Sequence, residues 1–124
     1  SSSSAASDVY KRQEQALINL VENAIKYSDP KSLVTLSLEK QADQFIIGVK
    51  DQGFGIEAKH HERIFERFYR IDVARSRKLG GTGLGLSIVK HIIQAHQGTV
   101  SVNSTPGEGS TFLIKIPFIE MNPI

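Results

Sequence analysis

A chain of 124 residues is one domain by length and can bury roughly two-thirds of its unfolded surface, enough for a core without covalent staples. It contains no cysteine, which excludes disulfides, thiol catalysis and cysteine-ligated zinc. A net charge of +2 is weak, no aromatic-interleaved basic surface appears, and no apolar run can span a bilayer; a soluble segment without a nucleic-acid partner or a membrane segment is expected.

Ser1 to Ser7 is a serine and alanine run with nothing to bury, so residues 1–13 are set apart as a disordered or artefactual lead-in. From about Val9 to Ser28 the pattern is helical, with Leu17, Leu20, Val21, Ala24 and Ile25 making one apolar stripe. The opposite side collects Asn19, Glu22, Asn23 and Lys26, with Tyr27 at its edge. A polar stripe is commonly a solvated face. Two asparagines one turn apart are unusual in a helix, however, and beside a glutamate they offer oxygen ligands to a hard cation such as Mg²⁺. Lys26 adds a cation for phosphate. Ser28-Asp29-Pro30 ends the helix.

Val34, Leu36 and Leu38 alternate with polar residues, the period of a half-buried strand, and Phe45 to Val49 reads as its antiparallel hairpin partner. That second strand delivers Asp51, followed by Gly53 and Gly55 in a tight turn. Gly53 to Ala58 formally fits a G-x-G-x-x-A dinucleotide fingerprint, but the next 20 residues hold no second buried strand, which excludes the Rossmann context. Glu57 to Phe65 can form a short helix. Phe65, Phe68 and Tyr69 follow in a density that wants burial, and the polar, basic run Asp72 to Lys78 predicts a mobile loop.

Gly80-Gly81-Thr82-Gly83-Leu84-Gly85-Leu86 then opens a helix reaching Gln97, with Leu84, Ile88, Ile92 and Ala95 at helical spacing and Gly98 as its C-terminal glycine. Glycines ahead of a helix N-terminus let backbone N–H groups close on a polyanion, and the helix dipole favours phosphate there. Two strands, Thr99 to Ser104 and Ser110 to Pro117, complete an α+β order, with Pro106-Gly107-Glu108-Gly109 as their turn.

In order, Asn19 to Tyr27, Asp51-x-Gly53-x-Gly55, Phe65-Glu66-Arg67-Phe68 and Gly81 to Leu86 resemble the N, G1, F and G2 boxes of sensor histidine kinases, and Gly109-Ser110-Thr111-Phe112 is similar to their closing motif. The resemblance implies the Bergerat ATP-binding fold shared with gyrase, MutL and the large heat-shock chaperones: a two-layer α/β sandwich, its mixed and largely antiparallel sheet covered on one face by helices. It places a catalytic domain over residues 14–118, with 119–124 as a tail. The implied cofactors are ATP and Mg²⁺.

By the same resemblance Asn19 and Asn23 hold the metal, Lys26 contacts phosphate, and Tyr27 lines the nucleoside. Asp51 accepts a hydrogen bond from the adenine amine, with Gly53, Gly55, Ile56 and Thr111 around the base. Gly81, Thr82, Gly83, Leu84, Gly85 and Leu86 cradle phosphate, and Phe65 to Thr82 is an ATP lid carrying Arg70 and Arg75 as phosphate cations. Asn23, Glu22 and Lys26 are the catalytic candidates, Glu22 as an aid to the acceptor imidazole. None of His60, His61, His91 or His96 sits in an acceptor motif of the H-E-x-R-T-P type, and all four read as surface or helix-face residues. The resemblance therefore implies a cytoplasmic, bacterial catalytic part of a longer kinase. Its partners are a dimerisation and histidine phosphoacceptor domain and, downstream, a response regulator. The family also commonly has a strand ahead of the first helix, and its loss would expose a sheet edge. An anti-sigma-factor type serine kinase and a nucleotide-sensing interaction module without transfer are the alternatives.

Overall fold

The computed structural model describes residues 2–71 and 85–117, with the backbone alone for residues 2–10. Helix α1 runs from Ser2 to Lys26, so the backbone is helical across the stretch whose composition predicts an unstructured lead-in. Extending an existing helix costs far less than nucleating one, and the alanines at positions 5 and 6 are the best helix formers, which is how a serine and alanine run joins it. Ala16, Leu20 and Ala24 are buried, with Leu17 and Val21 packed beside them. Ile25, expected in the apolar stripe, is 62% exposed, because at about 100° per residue it has rotated well away from Leu20. The Ser28 hydroxyl donates to the Ala24 carbonyl at 2.6 Å and closes the helix ahead of Pro30.

Strands β1 (Thr35–Lys40), β2 (Gln44–Lys50), β3 (Thr99–Ser104) and β4 (Ser110–Pro117) form a sheet in the order β1-β2-β4-β3. All the described pairings are antiparallel. Register puts Leu36, Val49, Phe112 and Val102 in one row and Leu38, Ile47, Ile114 and Val100 in the next. Directly opposed residues share a face, so these rows make one apolar face. Helices α1 and α2 (Gly85–Ala95) pack on each other, α1 against β2 and α2 against β3.

Strand β1 corrects the expectation of a half-buried strand. It lies at the sheet edge, beyond the cover of α1, and Leu36 and Leu38 remain 54% and 70% exposed. Alternation reports which side chains share a face; it carries no information on whether a layer covers that face. The buried face of α2 is likewise set by Val89, Ile92 and Ile93, whereas Ala95 is exposed.

The stretch expected as one short helix over 57–65 is two single 3-10 turns, Ala58–His60 and Arg63–Phe65. The bend between them drives Ile64 and Phe65 into the core, where Phe65 meets Phe112 edge-on at 6.2 Å between ring centroids. Such an aromatic pair is worth about 0.5–1.5 kcal/mol beyond its burial. Phe68, by contrast, is 64% exposed.

The end of α2 is a Schellman closure in which Gly98 N–H donates to Ile93 O at 2.8 Å and Gln97 N–H to Gln94 O at 3.0 Å. The left-handed residue is Gln97, at φ 57°, and not the glycine. Gly98 is required for space: a Cβ there would stand 2.5 Å from the Lys115 carbonyl oxygen and 2.9 Å from the Ile93 side chain. Two substitutions separate these effects in urea denaturation. Gln97→Gly is expected to be stabilising by up to about 1 kcal/mol. Gly98→Ala is expected to cost about 1–3 kcal/mol through overpacking.

Candidate functional site

Strand β2 ends at Lys50 and hands the chain to Asp51, which is only 5% exposed. Its Oδ1 accepts N–H bonds from Gly53 at 2.9 Å and Ser110 at 3.1 Å, while its own N–H donates to the Ser110 carbonyl at 2.8 Å. No described residue donates to Oδ2. Burial pushes the carboxyl pKa above its ordinary value, and the N–H groups of Gly53 and Ser110 pull partly the other way. The side chain is thus fixed through one oxygen and offers the other as an acceptor.

Close backbone approach surrounds this carboxylate. A Cβ on Gly53 would stand 2.2 Å from the Tyr27 carbonyl oxygen, and Ser28 and Gly53 form an isolated bridge, so the loop after β2 is pressed onto the end of α1. Gly55, at φ 75°, leaves no room for a side chain against the Thr105 carbonyl oxygen, 2.1 Å from where its Cβ would lie. On the other flank the Ser104 hydroxyl accepts the Ile56 N–H at 2.7 Å and donates to the Gly109 carbonyl at 2.8 Å. Its contact with the Ser110 hydroxyl, at 2.8 Å, must then use the Ser110 proton, because a serine has only one to give. Ser110 is left presenting lone pairs beside Asp51.

Ser104 and Ser110 are site residues that the sequence reading passed over in favour of Thr111. Thr111 pairs in register with Lys50 and Asn103 and, with Asp51, lines a polar recess of about 200 Å³. It is Ser110 that touches the carboxylate. The signal was available: Phe112 is buried, and a period of two puts Ser110 on the Phe112 side and Thr111 on the other.

Asn19 and Asn23 lie one turn apart on α1, both half-buried, and the buried Asn19 Nδ2 has no hydrogen-bond partner among the described residues. Glu22 and Lys26 are exposed on the same flank. Tyr27 is half-buried, its carbonyl against Gly53. Leu86 is half-buried in the first turn of α2, and Gly85 faces open space. Arg70 is half-buried with an Nε that finds no partner among the described residues. Gly81, Thr82, Gly83, Leu84 and Arg75 lie outside the described residues.

The histidines are more engaged than surface residues. His60 Nδ1 shares a hydrogen bond with the Tyr69 hydroxyl, His61 Nε2–H donates to the Ile56 carbonyl at 2.8 Å, and His96 Nδ1–H donates to the Ile92 carbonyl at 2.7 Å. His91 alone of the four is exposed. No group of three or more histidine, aspartate or glutamate side chains suited to a metal occurs among the described residues.

An antiparallel sheet backed by helices on one face, with a buried acceptor carboxylate at the end of an inner strand, defines a two-layer α/β domain with a fixed hydrogen-bond acceptor at one sheet end. Residues 8–120 match the family of histidine kinase-, DNA gyrase B- and HSP90-like ATPases, and the chain belongs to that family. It is 53% identical over 102 residues to the sensor-like histidine kinase SenX3 of Mycobacterium tuberculosis strain H37Rv, covering 82% of this chain and 25% of the relative. It is 46% identical over 108 residues to the sensor histidine kinase WalK of Bacillus subtilis strain 168, covering 86% and 18%. The chain therefore spans a quarter or less of the length of these relatives. Among solved structures it resembles the mycobacterial sensor histidine kinase MprB, with TM-score 0.76 and 29% identity over 86% of this chain and 70% of that one. It also resembles full-length ShkA in complex with AMPPNP, with TM-score 0.77 and 31% identity over 90% of this chain and 22% of that one.

The raised Asp51 pKa makes a stability prediction. The folded chain holds that proton more tightly than the unfolded one, so protonation stabilises the fold as pH falls through the shifted pKa, and this contribution is lost as pH rises. Asp51→Asn keeps the Oδ1 acceptor for Gly53 and Ser110 without the buried charge. Thermal melts are expected to show the variant as stable as the parent or more so at neutral pH, with the difference shrinking as pH is lowered.

Proposed function

We propose that this chain is the ATP-binding catalytic domain of a two-component sensor histidine kinase. It transfers the γ-phosphoryl of ATP to a histidine on a separate dimerisation and phosphoacceptor domain, from which a response regulator takes it, on the cytoplasmic side of a bacterial membrane. The observation that carries the reading is the Asp51 carboxylate, bonded twice at Oδ1 and given no donor at Oδ2 by the described residues. An exocyclic amine satisfies that acceptor. Guanine sets an oxygen against it, acceptor facing acceptor, and a buried polar group left unpaired costs about 1–3 kcal/mol.

The rest of the site fits a bound Mg–ATP. The buried, unpartnered amide of Asn19 and the half-buried Asn23 one turn on are the groups that would hold the ion; amide nitrogen and oxygen exchange places by a flip of the side chain, so the same position presents an oxygen ligand. When bound, Mg²⁺ supplies charge neutralisation to the phosphate chain. Lys26 and Arg70 add cations to the same end. Gly85 and Leu86 open α2, whose N-terminus favours the phosphates. Tyr27, Gly53, Gly55 and Ile56 form the wall around the base.

Phosphoryl transfer in this arrangement is positioning and electrostatics. The bond from the terminal phosphorus to the ADP oxygen breaks as the acceptor imidazole nitrogen forms its own bond to phosphorus, in line, and no covalent intermediate on this domain is needed. Glu22, exposed on the flank of α1 beside Asn23, is free to orient the incoming imidazole.

The test uses γ-labelled ATP and a supplied helical hairpin carrying the acceptor histidine. Label is expected on the hairpin in an acid-labile linkage, and Asn23→Ala is expected to reduce the rate by about 100-fold or more. Acid-stable label on serine, or a hairpin that stays unlabelled at saturating Mg²⁺ while the chain binds ATP, contradicts the proposal.

A further inference from the structure

Ser104 is the last residue of β3 and stands opposite Ser110 in the register with β4. Its Oγ accepts the Ile56 N–H at 2.7 Å and the Ser110 hydroxyl at 2.8 Å, and it donates to the Gly109 carbonyl at 2.8 Å. A serine hydroxyl has one proton and two lone pairs, so all of its capacity is spent within the fold. Whatever Ser104 does for the site, it does through the groups it holds.

The Gly109 carbonyl and the Ser110 N–H are the two ends of one peptide group, and in a trans peptide they point in opposite directions within one plane. Ser104 engages the carbonyl end, while Asp51 Oδ1 takes the N–H end at 3.1 Å. Turning that carbonyl therefore turns the N–H that holds the carboxylate. A Cβ on Gly109 would stand 2.2 Å from the Asp51 carbonyl oxygen, so crowding sets how closely this peptide approaches Asp51, and the Ser104 hydroxyl sets its tilt. Donation to the carbonyl also polarises the peptide and strengthens its N–H as a donor to Oδ1.

The surrounding segments have anchors of their own. The Phe54 carbonyl accepts the Gly107 N–H at 2.7 Å, the Ile56 carbonyl accepts His61 Nε2–H at 2.8 Å, and the Thr105 carbonyl accepts the Glu108 N–H at 3.0 Å. The loop after β2 and the β3–β4 turn thus stay joined when the Ser104 hydroxyl is removed. What is lost is the aim of the Gly109–Ser110 peptide at Asp51.

We propose that Ser104 is a positioning residue for base selection, orienting the Gly109–Ser110 peptide so that Asp51 is held through Oδ1 and keeps Oδ2 for the base. The inference rests on the nucleotide reading given above. Ser104 touches no nucleotide; it acts on the peptide, and the peptide acts on Asp51.

The test is the ratio of affinities for non-hydrolysable ATP and GTP analogues, measured by calorimetry with Mg²⁺ on the full chain. Ser104→Ala is expected to lower the ratio by about fivefold through weaker ATP binding, with GTP binding little changed, as for the loss of one neutral hydrogen bond. Ser104→Thr keeps the hydroxyl and is expected to hold the ratio within about twofold of the parent. In an Asp51→Asn background, Ser104→Ala is expected to change the ratio no further, because the two residues act in series. Should Ser104→Ala fail to fold, Ser104→Cys, which keeps the volume and bonds more weakly, takes its place with the same direction of change.

An unchanged ratio in the folded Ala or Cys variant overturns the positioning role. Equal weakening of both nucleotides also overturns it, since that is what a merely structural contact would produce. So does a loss in Ser104→Thr as large as in Ser104→Ala, or a further loss in the Asp51→Asn background. A folded parent that binds both analogues equally overturns base selection by Asp51, and a folded parent that binds neither overturns the nucleotide reading itself; this inference falls with either.

Discussion

A carboxylate held in a nearly dry position by two backbone N–H groups is the constraint on which the rest of this structure turns. Burying the charge of Asp51 costs stability, and the bonds from Gly53 and Ser110 return only part of that cost, which is why its pKa rises. Both donors must come from backbone that arrives close and at a fixed angle. One belongs to the loop after β2 and the other to the start of β4, so the neighbouring strand and the loop beyond β2 meet at a single side chain.

That meeting explains the glycines better than flexibility does. Gly53, Gly55 and Gly109 each stand where a Cβ would lie within 2.2 Å of a carbonyl oxygen, those of Tyr27, Thr105 and Asp51 respectively. Three backbone segments are pressed together around one acceptor: the end of α1, the loop after β2, and the β3–β4 turn. Ser104 ties the last two by bonding Ile56, Gly109 and Ser110 at once. A rigid surround of this kind holds an acceptor in place before any ligand arrives, which is how an enzyme discriminates a base by hydrogen bonding. Asn19 and Arg70, proposed for the phosphate end, carry buried polar atoms that no described residue satisfies.

Most of the element order was legible because period and punctuation are local properties. The alternation of Leu36 and Leu38, the helical spacing around Leu20, and Asp51 at a strand end followed by two glycines all correspond to described elements. What was not legible depends on the third dimension. Alternation in β1 could not reveal that α1 stops short of the edge strand. Gly98 reads as the C-terminal glycine of its helix, yet the reason for it is Lys115 on β4, 17 residues away; Gln97 carries the positive φ. Alternation puts Ser110 on the Phe112 side, but its bond to Asp51 is made by the backbone N–H, which no side-chain pattern reports. The His60 and Tyr69 pairing crosses an irregular stretch with no period at all. The glycine cluster Gly80 to Leu84, the strongest single signal in the sequence, lies outside the described residues.

Selection of adenine by Asp51 would use the oxygen that no described residue engages, while the other oxygen holds the fold. The most direct measurement is calorimetric titration of the parent and of Asp51→Asn with non-hydrolysable ATP and GTP analogues in the presence of Mg²⁺. The parent is expected to bind the ATP analogue at least about tenfold more tightly than the GTP analogue, the equivalent of one buried group left unpaired. A folded Asp51→Asn is expected to lose most of that preference through weakened ATP binding. Equal binding of the two nucleotides by the parent, or an unchanged preference in the variant, would contradict it.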